Sequence, residues 1–284
     1  MPHITTRDGT RLYVEEAGQG TPIVFIHEYA GDFRTWEPQM RFFSRTHRCV
    51  TYSQRGYPPS DVPTDPTRYG QDLARDDVVA VMDALKIDRA HVVGHSMGAL
   101  TALLVGLKYP GRCLSVTAAG CGYGSSPDAK VVEETREASR QTGKMFQTED
   151  FKSAAARYAD GATRQTHKHK DPRGFAEFAQ MLTEHSPVGH ALTMLEVQAK
   201  RPSLWELEGE LKKFTLPLLV LVGDEDDWCV DSSIYLKRVV PTAGLSIIPR
   251  SGHTITSEEP AKFNAALAEF IAASEAGRWL AHRA

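Results

Sequence analysis

Short apolar runs alternate with stretches of helical periodicity along the first third of the chain. Leu12-Tyr13-Val14-Glu15-Glu16-Ala17 and Pro22-Ile23-Val24-Phe25-Ile26-His27 read as strands, the second apolar enough to be covered on both faces. Arg34 to Ser44 reads as a short helix and Arg48 to Ser53 as a further strand. From Tyr69 to Leu85, the apolar positions Leu73, Val78, Val79, Val81, Met82 and Leu85 recur at the spacing of a helix that faces a core. A strand through Ala90-His91-Val92-Val93, a helix over Ala99 to Tyr109 that stops at Pro110-Gly111, and a strand over Leu114 to Ala119 continue the alternation. Strands alternating with helices predict crossover connections and a mostly parallel sheet flanked by helices.

The pattern changes near Gly122-Tyr123-Gly124. Residues 125–213 are rich in Glu, Lys, Arg, Gln and Ala, with helical periodicity and no strand-like apolar run. Apolar runs then return at Leu216 to Val222 and Gly244 to Ile248, and Ala261 to Ala273 closes as an amphipathic helix. The expected organisation is an α/β core built from 1–124 and 214–284, with 125–213 inserted as a helical cap.

Composition narrows the function classes. A chain of 284 residues, 41% apolar and 24% charged, suits one large domain or a core with an insertion. A net charge of −3 argues against nucleic acid or an anionic membrane as the main partner. Cys49, Cys113, Cys121 and Cys229 are scattered, without zinc spacing, and no metal or cofactor motif is visible. The first residues carry no apolar signal region, and no apolar stretch approaches the roughly 18 residues of a membrane span. These features predict a cytoplasmic protein that acts on a small molecule without a cofactor. They leave a homodimer open.

The chemistry concentrates at Gly94-His95-Ser96-Met97-Gly98, which lies between the strand ending at Val93 and the helix from Ala99. Gly-x-Ser-x-Gly between a strand and a helix is a nucleophile elbow. A serine hydroxyl needs an adjacent base oriented by a carboxylate, and in elbow folds the order is serine, acid, histidine. Two loops supply candidates in that order: Gly223-Asp224-Glu225-Asp226-Asp227 after the strand at 216–222, and Ser251-Gly252-His253-Thr254 after the strand at 244–248. Among the four consecutive carboxylates, spacing alone does not choose. His253 is the histidine in such a loop; His282 belongs to a charged tail, and His167 and His169 read as a solvated charged turn. The N–H of Met97, at a helix N-terminus, is one expected donor to a developing oxyanion.

With these motifs in order, the chain resembles the α/β-hydrolase superfamily, in its capped serine-esterase and epoxide-hydrolase-like branch. The resemblance covers nearly the whole chain outside the cap. It implies Asp226 as the acid, from the Gly-x-x-Asp turn Gly223-Asp224-Glu225-Asp226, although Val230 stands where the family often has proline. Ser53-Gln54-Arg55-Gly56-Tyr57-Pro58-Pro59-Ser60 is similar to the family's Asp-x-Arg-Gly-x-Gly-x-Ser segment, with Ser53 for the aspartate and Pro58 for the second glycine. His27-Glu28-Tyr29-Ala30 aligns with a His-Gly-x-Pro loop that has a downstream tryptophan, here Trp36, and this implies the Tyr29 N–H as the second oxyanion donor.

Glu28 departs from that pattern, because glycine is usual there. Its carboxylate either points away or is neutralised, or else it contacts substrate or water at the mouth of the site. Glu28, His95 and Trp228 are the candidate substrate contacts. Relatives that open epoxides or remove halide use aspartate at the elbow. Ser96 therefore implies an acyl-enzyme formed from a small carboxylic ester, thioester or lactone. A carbon–carbon bond hydrolase of β-diketones shares the fold and triad, but often has a glycine-rich loop and a tryptophan where Thr254 stands. A ligand receptor on a hydrolase fold is the non-enzyme alternative. Specificity is expected from the cap, whose Phe146, Phe151, Tyr158, Phe175, Phe178, Met181, Met194 and Trp205 are unsorted between core and pocket.

Overall fold

The computed structural model describes residues 3–279; His282 lies outside them. Eight strands form one sheet among these residues: β1 (His3–Thr5), β2 (Arg11–Ala17), β3 (Pro22–Ile26), β4 (Arg48–Tyr52), β5 (Ala90–His95), β6 (Cys113–Ala119), β7 (Leu218–Gly223) and β8 (Ala243–Ile248). Their spatial order is β1-β2-β4-β3-β5-β6-β7-β8. The β1–β2 and β2–β4 pairings are antiparallel and all the others parallel. β5 and β7 are buried at every position, as expected of central parallel strands covered on both faces.

Each face carries its own core. On one, Val24, Val50, Val92, Val116 and Val220 pack with Val78, Val81 and Met82 of helix Gln71–Ala84 and Leu100 and Leu103 of helix Met97–Lys108. On the other, Ile23, Phe25, Val93 and Leu221 pack with Phe43 of helix Glu37–Phe43 and Phe263, Leu267 and Phe270 of helix Pro260–Glu275. The chain runs from β3 to β4 on one side, then crosses to β5 on the other. This reversal leaves a crevice beyond the carboxyl ends of β3 and β5, the position where open α/β sheets bind ligands.

Between β6 and β7 every element is helical, from Ala129–Thr148 to Glu208–Leu211. Asp128, Asp150, Asp171 and Ser186 start four of these helices by accepting a bond from a first-turn N–H. Phe146, Leu182, Leu192 and Met194 of this segment pack against Tyr29, Tyr57 and Met97 at the tips of the sheet.

Three local readings differ from the pattern. Residues 34–44 divide into a 3-10 turn, Phe33–Trp36, and helix Glu37–Phe43, which opens with Pro38 in its first turn. β7 begins at Leu218 because Pro217 has no N–H to give to the ladder. His167 does not sit in a solvated turn: it lies in helix Gln165–Lys170, 2% exposed, against the rings of Phe175 and Phe178. Helical spacing puts it on the inner face while His169 remains outside.

Candidate active site

β5 ends at His95, and Ser96 bridges it to helix Met97–Lys108 with φ 53° and ψ −110°. The strain is held in place because the Ser96 N–H donates to the Ala119 carbonyl at 2.7 Å. The flanking glycines follow from contact distances. A Cβ on Gly94 would lie 2.0 Å from the Gly98 carbonyl oxygen, and one on Gly98 would lie 2.2 Å from that of Ile26. The elbow is thus wedged against the end of β3, which brings Ser96 beside the loop that starts at His27.

The acid and histidine loops meet in the same way. A Cβ on Gly223 would lie 2.1 Å from the Ser251 carbonyl oxygen. The Glu225 N–H donates to that carbonyl at 2.9 Å, and the Ser251 N–H donates to Asp224 Oδ1 at 3.1 Å. Asp224, Glu225 and Asp227 are exposed, whereas Asp226 is buried and its Oδ2 accepts from His253 Nδ1 at 2.7 Å. His253 Nε2, left without a proton in that tautomer, accepts from Ser96 Oγ at 2.8 Å. Burial alone would raise the Asp226 carboxyl, but the facing His253 ring pulls it below its ordinary value.

Two residues fix the His253 loop. Glu258, absent from the sequence reading, accepts from the Gly252 N–H at 2.8 Å, the Thr254 N–H at 3.1 Å and the Thr254 hydroxyl at 2.6 Å. His95, read as a candidate substrate contact, instead donates from Nε2 to the His253 carbonyl at 2.7 Å and is not among the cavity-lining residues. It is a buried brace for the His253 loop.

The loop after β3 is anchored by His27. Its Nε2 accepts the Gln54 N–H at 3.0 Å, so its Nδ1 carries the proton and donates to the Glu28 carbonyl at 2.6 Å. A trans peptide then turns the Tyr29 N–H to the opposite side. Among the described residues, neither the Tyr29 N–H nor the Met97 N–H donates to a protein acceptor. Both residues are almost fully buried.

Glu28 is buried and paired through Oε2 with Arg164 Nη2 from the helical segment. Burial alone would raise its carboxyl, but the Arg164 charge, aided by His95 and His253, brings it from 4.5 down to about 2. Glu28 therefore faces the site as half of a neutral pair. Nothing in the sequence signals Arg164, which lies 136 residues away.

These groups surround a cavity of about 360 Å3 lined by Ser96, His253, Glu28, Tyr29, Arg164 and Trp228, among others. Of the aromatic and methionine side chains of the segment, Met145, Tyr158 and Met194 line it. Phe146 and Phe178 are core, and Trp205 stacks on Tyr235 at 3.9 Å. Trp228 is 54% exposed and packs against Tyr123 at the rim. Asp226, Cys229 and His253 also bring three metal-ligating atom types within 4.8 Å of one another. Burial holds the Cys229 thiol well above its ordinary value, so it stays protonated and offers a poor ligand.

The architecture has known counterparts. The chain is 41% identical over 118 residues to 3-oxoadipate enol-lactonase 1 of Acinetobacter baylyi, spanning 41% of this chain and 43% of that one. It is 26% identical over 280 residues to the 2-hydroxy-6-oxo-6-phenylhexa-2,4-dienoate hydrolase of Burkholderia cepacia, spanning 92% and 91%. A thermophilic esterase from Thermogutta terrifontis shares the fold with a TM-score of 0.84 at 23% identity, covering 96% of this chain and 98% of that structure. No helix among the described residues is long and apolar enough to cross a membrane. The family profile described as the alpha/beta hydrolase fold matches residues 21–260, which takes in the elbow, both candidate loops and the helical segment between them, so the chain belongs to that family.

Proposed function

We propose that the protein is a serine hydrolase that cleaves small carboxylic esters, thioesters or lactones through an acyl-enzyme on Ser96. The observation that carries this reading is the unbroken relay from Asp226 through His253 to Ser96, with links of 2.7 and 2.8 Å. In the first step Ser96 Oγ attacks the substrate carbonyl carbon and His253 Nε2 takes its proton. The carbonyl oxygen becomes an oxyanion that accepts from the Tyr29 and Met97 N–H groups, each such donor being worth about 3 kcal/mol of barrier. His253 then returns the proton to the leaving oxygen or sulfur, and the C–O or C–S bond breaks. Water, deprotonated by His253, attacks the acyl carbon and releases the acid, restoring the Ser96 hydroxyl. Asp226 holds the imidazole in the tautomer that each step needs.

Neutralisation by Arg164 keeps Glu28 from opposing the oxyanion. Its carboxylate would otherwise raise the barrier from within the same loop. The full-length likeness to a dienoate hydrolase supports a second reading, cleavage of a carbon–carbon bond in a diketone by the same three residues. The helical segment serves in either case as the cap over the cavity, and a fluorophosphonate separates an enzyme from a ligand receptor. Labelling of the wild type that is lost in Ser96→Ala and in His253→Ala supports the proposal. Hydrolysis of an ester, lactone and diketone panel that persists in Ser96→Ala would falsify it.

A further inference from the structure

The cavity carries charge that the hydrolytic relay does not use. Four charged side chains line it: Glu28, Arg157, Arg164 and Arg201. Arg157 is largely exposed and paired with Glu149. Arg164 is paired with Glu28. Arg201 has no carboxylate in pairing distance among the described residues; its Nη1 donates to Gln198 Oε1 at 2.6 Å and its Nη2 to the Tyr123 carbonyl. Both acceptors are neutral. They fix the guanidinium without cancelling its charge, and they leave three of its five N–H donors unspent. Burial accordingly presses Arg201 below the ordinary guanidinium value, with only thiols and phenols nearby to oppose it.

Arg164 adds donors to the same space. Its Nε and Nη1 are buried without a hydrogen-bond partner, while Nη2 serves Glu28. The side chain lies over the Phe178 ring at 5.2 Å, so it cannot simply swing to water. A half-buried cation without a counter-charge and two fully buried donors without partners are each costly. One ligand group satisfies all three conditions: a planar anion with several acceptor lone pairs, the natural partner of a guanidinium fork.

We infer that the substrate carries a carboxylate besides its scissile ester or lactone bond, and that Arg201, with the spare donors of Arg164, binds this anion. The inference rests on the hydrolase reading for the reacting bond and on the cavity charge alone for the anion. Arg201 then acts in recognition and the Glu28–Arg164 pair in orientation. The nucleophilic steps stay with Ser96 and His253.

Matched esters on the full chain provide the test. The mono-p-nitrophenyl ester of adipic acid is compared with its methyl-capped neutral form. 4-Carboxyphenyl hexanoate is compared with its methyl ester, which moves the charge to the alcohol side. We expect a kcat/KM about tenfold or more higher for at least one anionic ester than for its neutral partner, carried by KM. Arg201→Met should bring that ratio close to one and Arg201→Lys should restore part of it. A merely misfolded variant would lower both rates together. Ratios near one for both pairs in the wild type, or a preference that survives Arg201→Met, overturn the inference. Calorimetric binding of adipate to Ser96→Ala, with and without Arg201→Met, keeps the two readings apart. Arg201-dependent binding beside a Ser96 silent to fluorophosphonate sinks the hydrolase reading and leaves the anion site standing. A labelled Ser96 with no anion preference does the reverse.

Discussion

Glu28→Gln keeps the shape of the side chain and removes the charge that neutralises Arg164. Arg164 would then stay buried, 2% exposed, against a neutral amide. Removing one partner of a buried pair costs about 3–5 kcal/mol, because the surviving charge keeps its desolvation penalty. Acidity gives a second figure. Burial opposes ionisation of Glu28, yet Arg164 prevails and the carboxyl falls from 4.5 to about 2, which is about 3 kcal/mol of linkage at neutral pH. The sign follows from the direction. A carboxyl held below its unfolded value contributes stability that is fully present above 4.5 and is lost as the pH falls through about 2. Urea unfolding followed by circular dichroism, on wild type, Glu28→Gln, Arg164→Met and the double variant, measures the pair. Each single variant should lose about 3 kcal/mol near neutral pH, and the double should lose at least about 2 kcal/mol less than their sum. Between about pH 5 and pH 3 the wild type should lose stability faster than the double variant. Strictly additive single losses, or a Glu28→Gln protein as stable as wild type, would refute the assignment of this pair as a coupled, buried clamp.

Four further outcomes follow from the geometry. Ser96→Ala should abolish turnover while leaving the unfolding midpoint of the wild type nearly unchanged, as read by single-turnover assay and thermal melt. Asp226→Asn should lower kcat by about 10^4 with little change in fold, since the amide favours the wrong His253 tautomer; a drop below tenfold would count against the relay. Gly98→Ala forces a Cβ to within 2.2 Å of the Ile26 carbonyl oxygen and should abolish soluble expression or cost more than about 3 kcal/mol. Glu258→Ala frees the His253 loop and should lower kcat by about 100-fold while KM changes little, a split that general destabilisation would not give.

Much of this arrangement was legible because it is local. Gly94 and Gly98 report a turn that no other residue fits, and the apolar runs around them report the strand and helix that flank it. The sheet was equally readable, since its central strands carry apolar runs such as Ile23 to Ile26, Val92-Val93 and Leu218 to Val222. The proposed acid was only half legible: four carboxylates in a row carry no periodicity, and what separates them is a turn that spends Asp224 on the Ser251 N–H and leaves Asp227 exposed. β1 escaped because three residues give no pattern. The helical segment was harder. Lys168, His169 and Lys170 surround His167 with solvated charge, and only helical geometry puts His167 on the inner face, three residues from Arg164. Arg201, between Lys200 and Pro202, looks like any exposed basic turn.

The residue that departs most from its family pattern shows why such long-range features escape a linear reading. Glycine at position 28 would ask nothing of the rest of the chain. A glutamate there, buried by the loop that His27 pins, requires a cation from elsewhere, and Arg164 is that cation. The requirement runs both ways: Arg164, held over Phe178, has no other carboxylate in pairing distance among the described residues. The two substitutions are therefore linked in energy although they are far apart in sequence, and together they tie the helical segment to the loop proposed to supply an oxyanion donor. Since the pair sums to zero charge, it leaves the field at Ser96 to be set by whatever else lines the cavity. Arg201 is then the one uncompensated charge among the described lining residues, and a neutral substrate would leave it so.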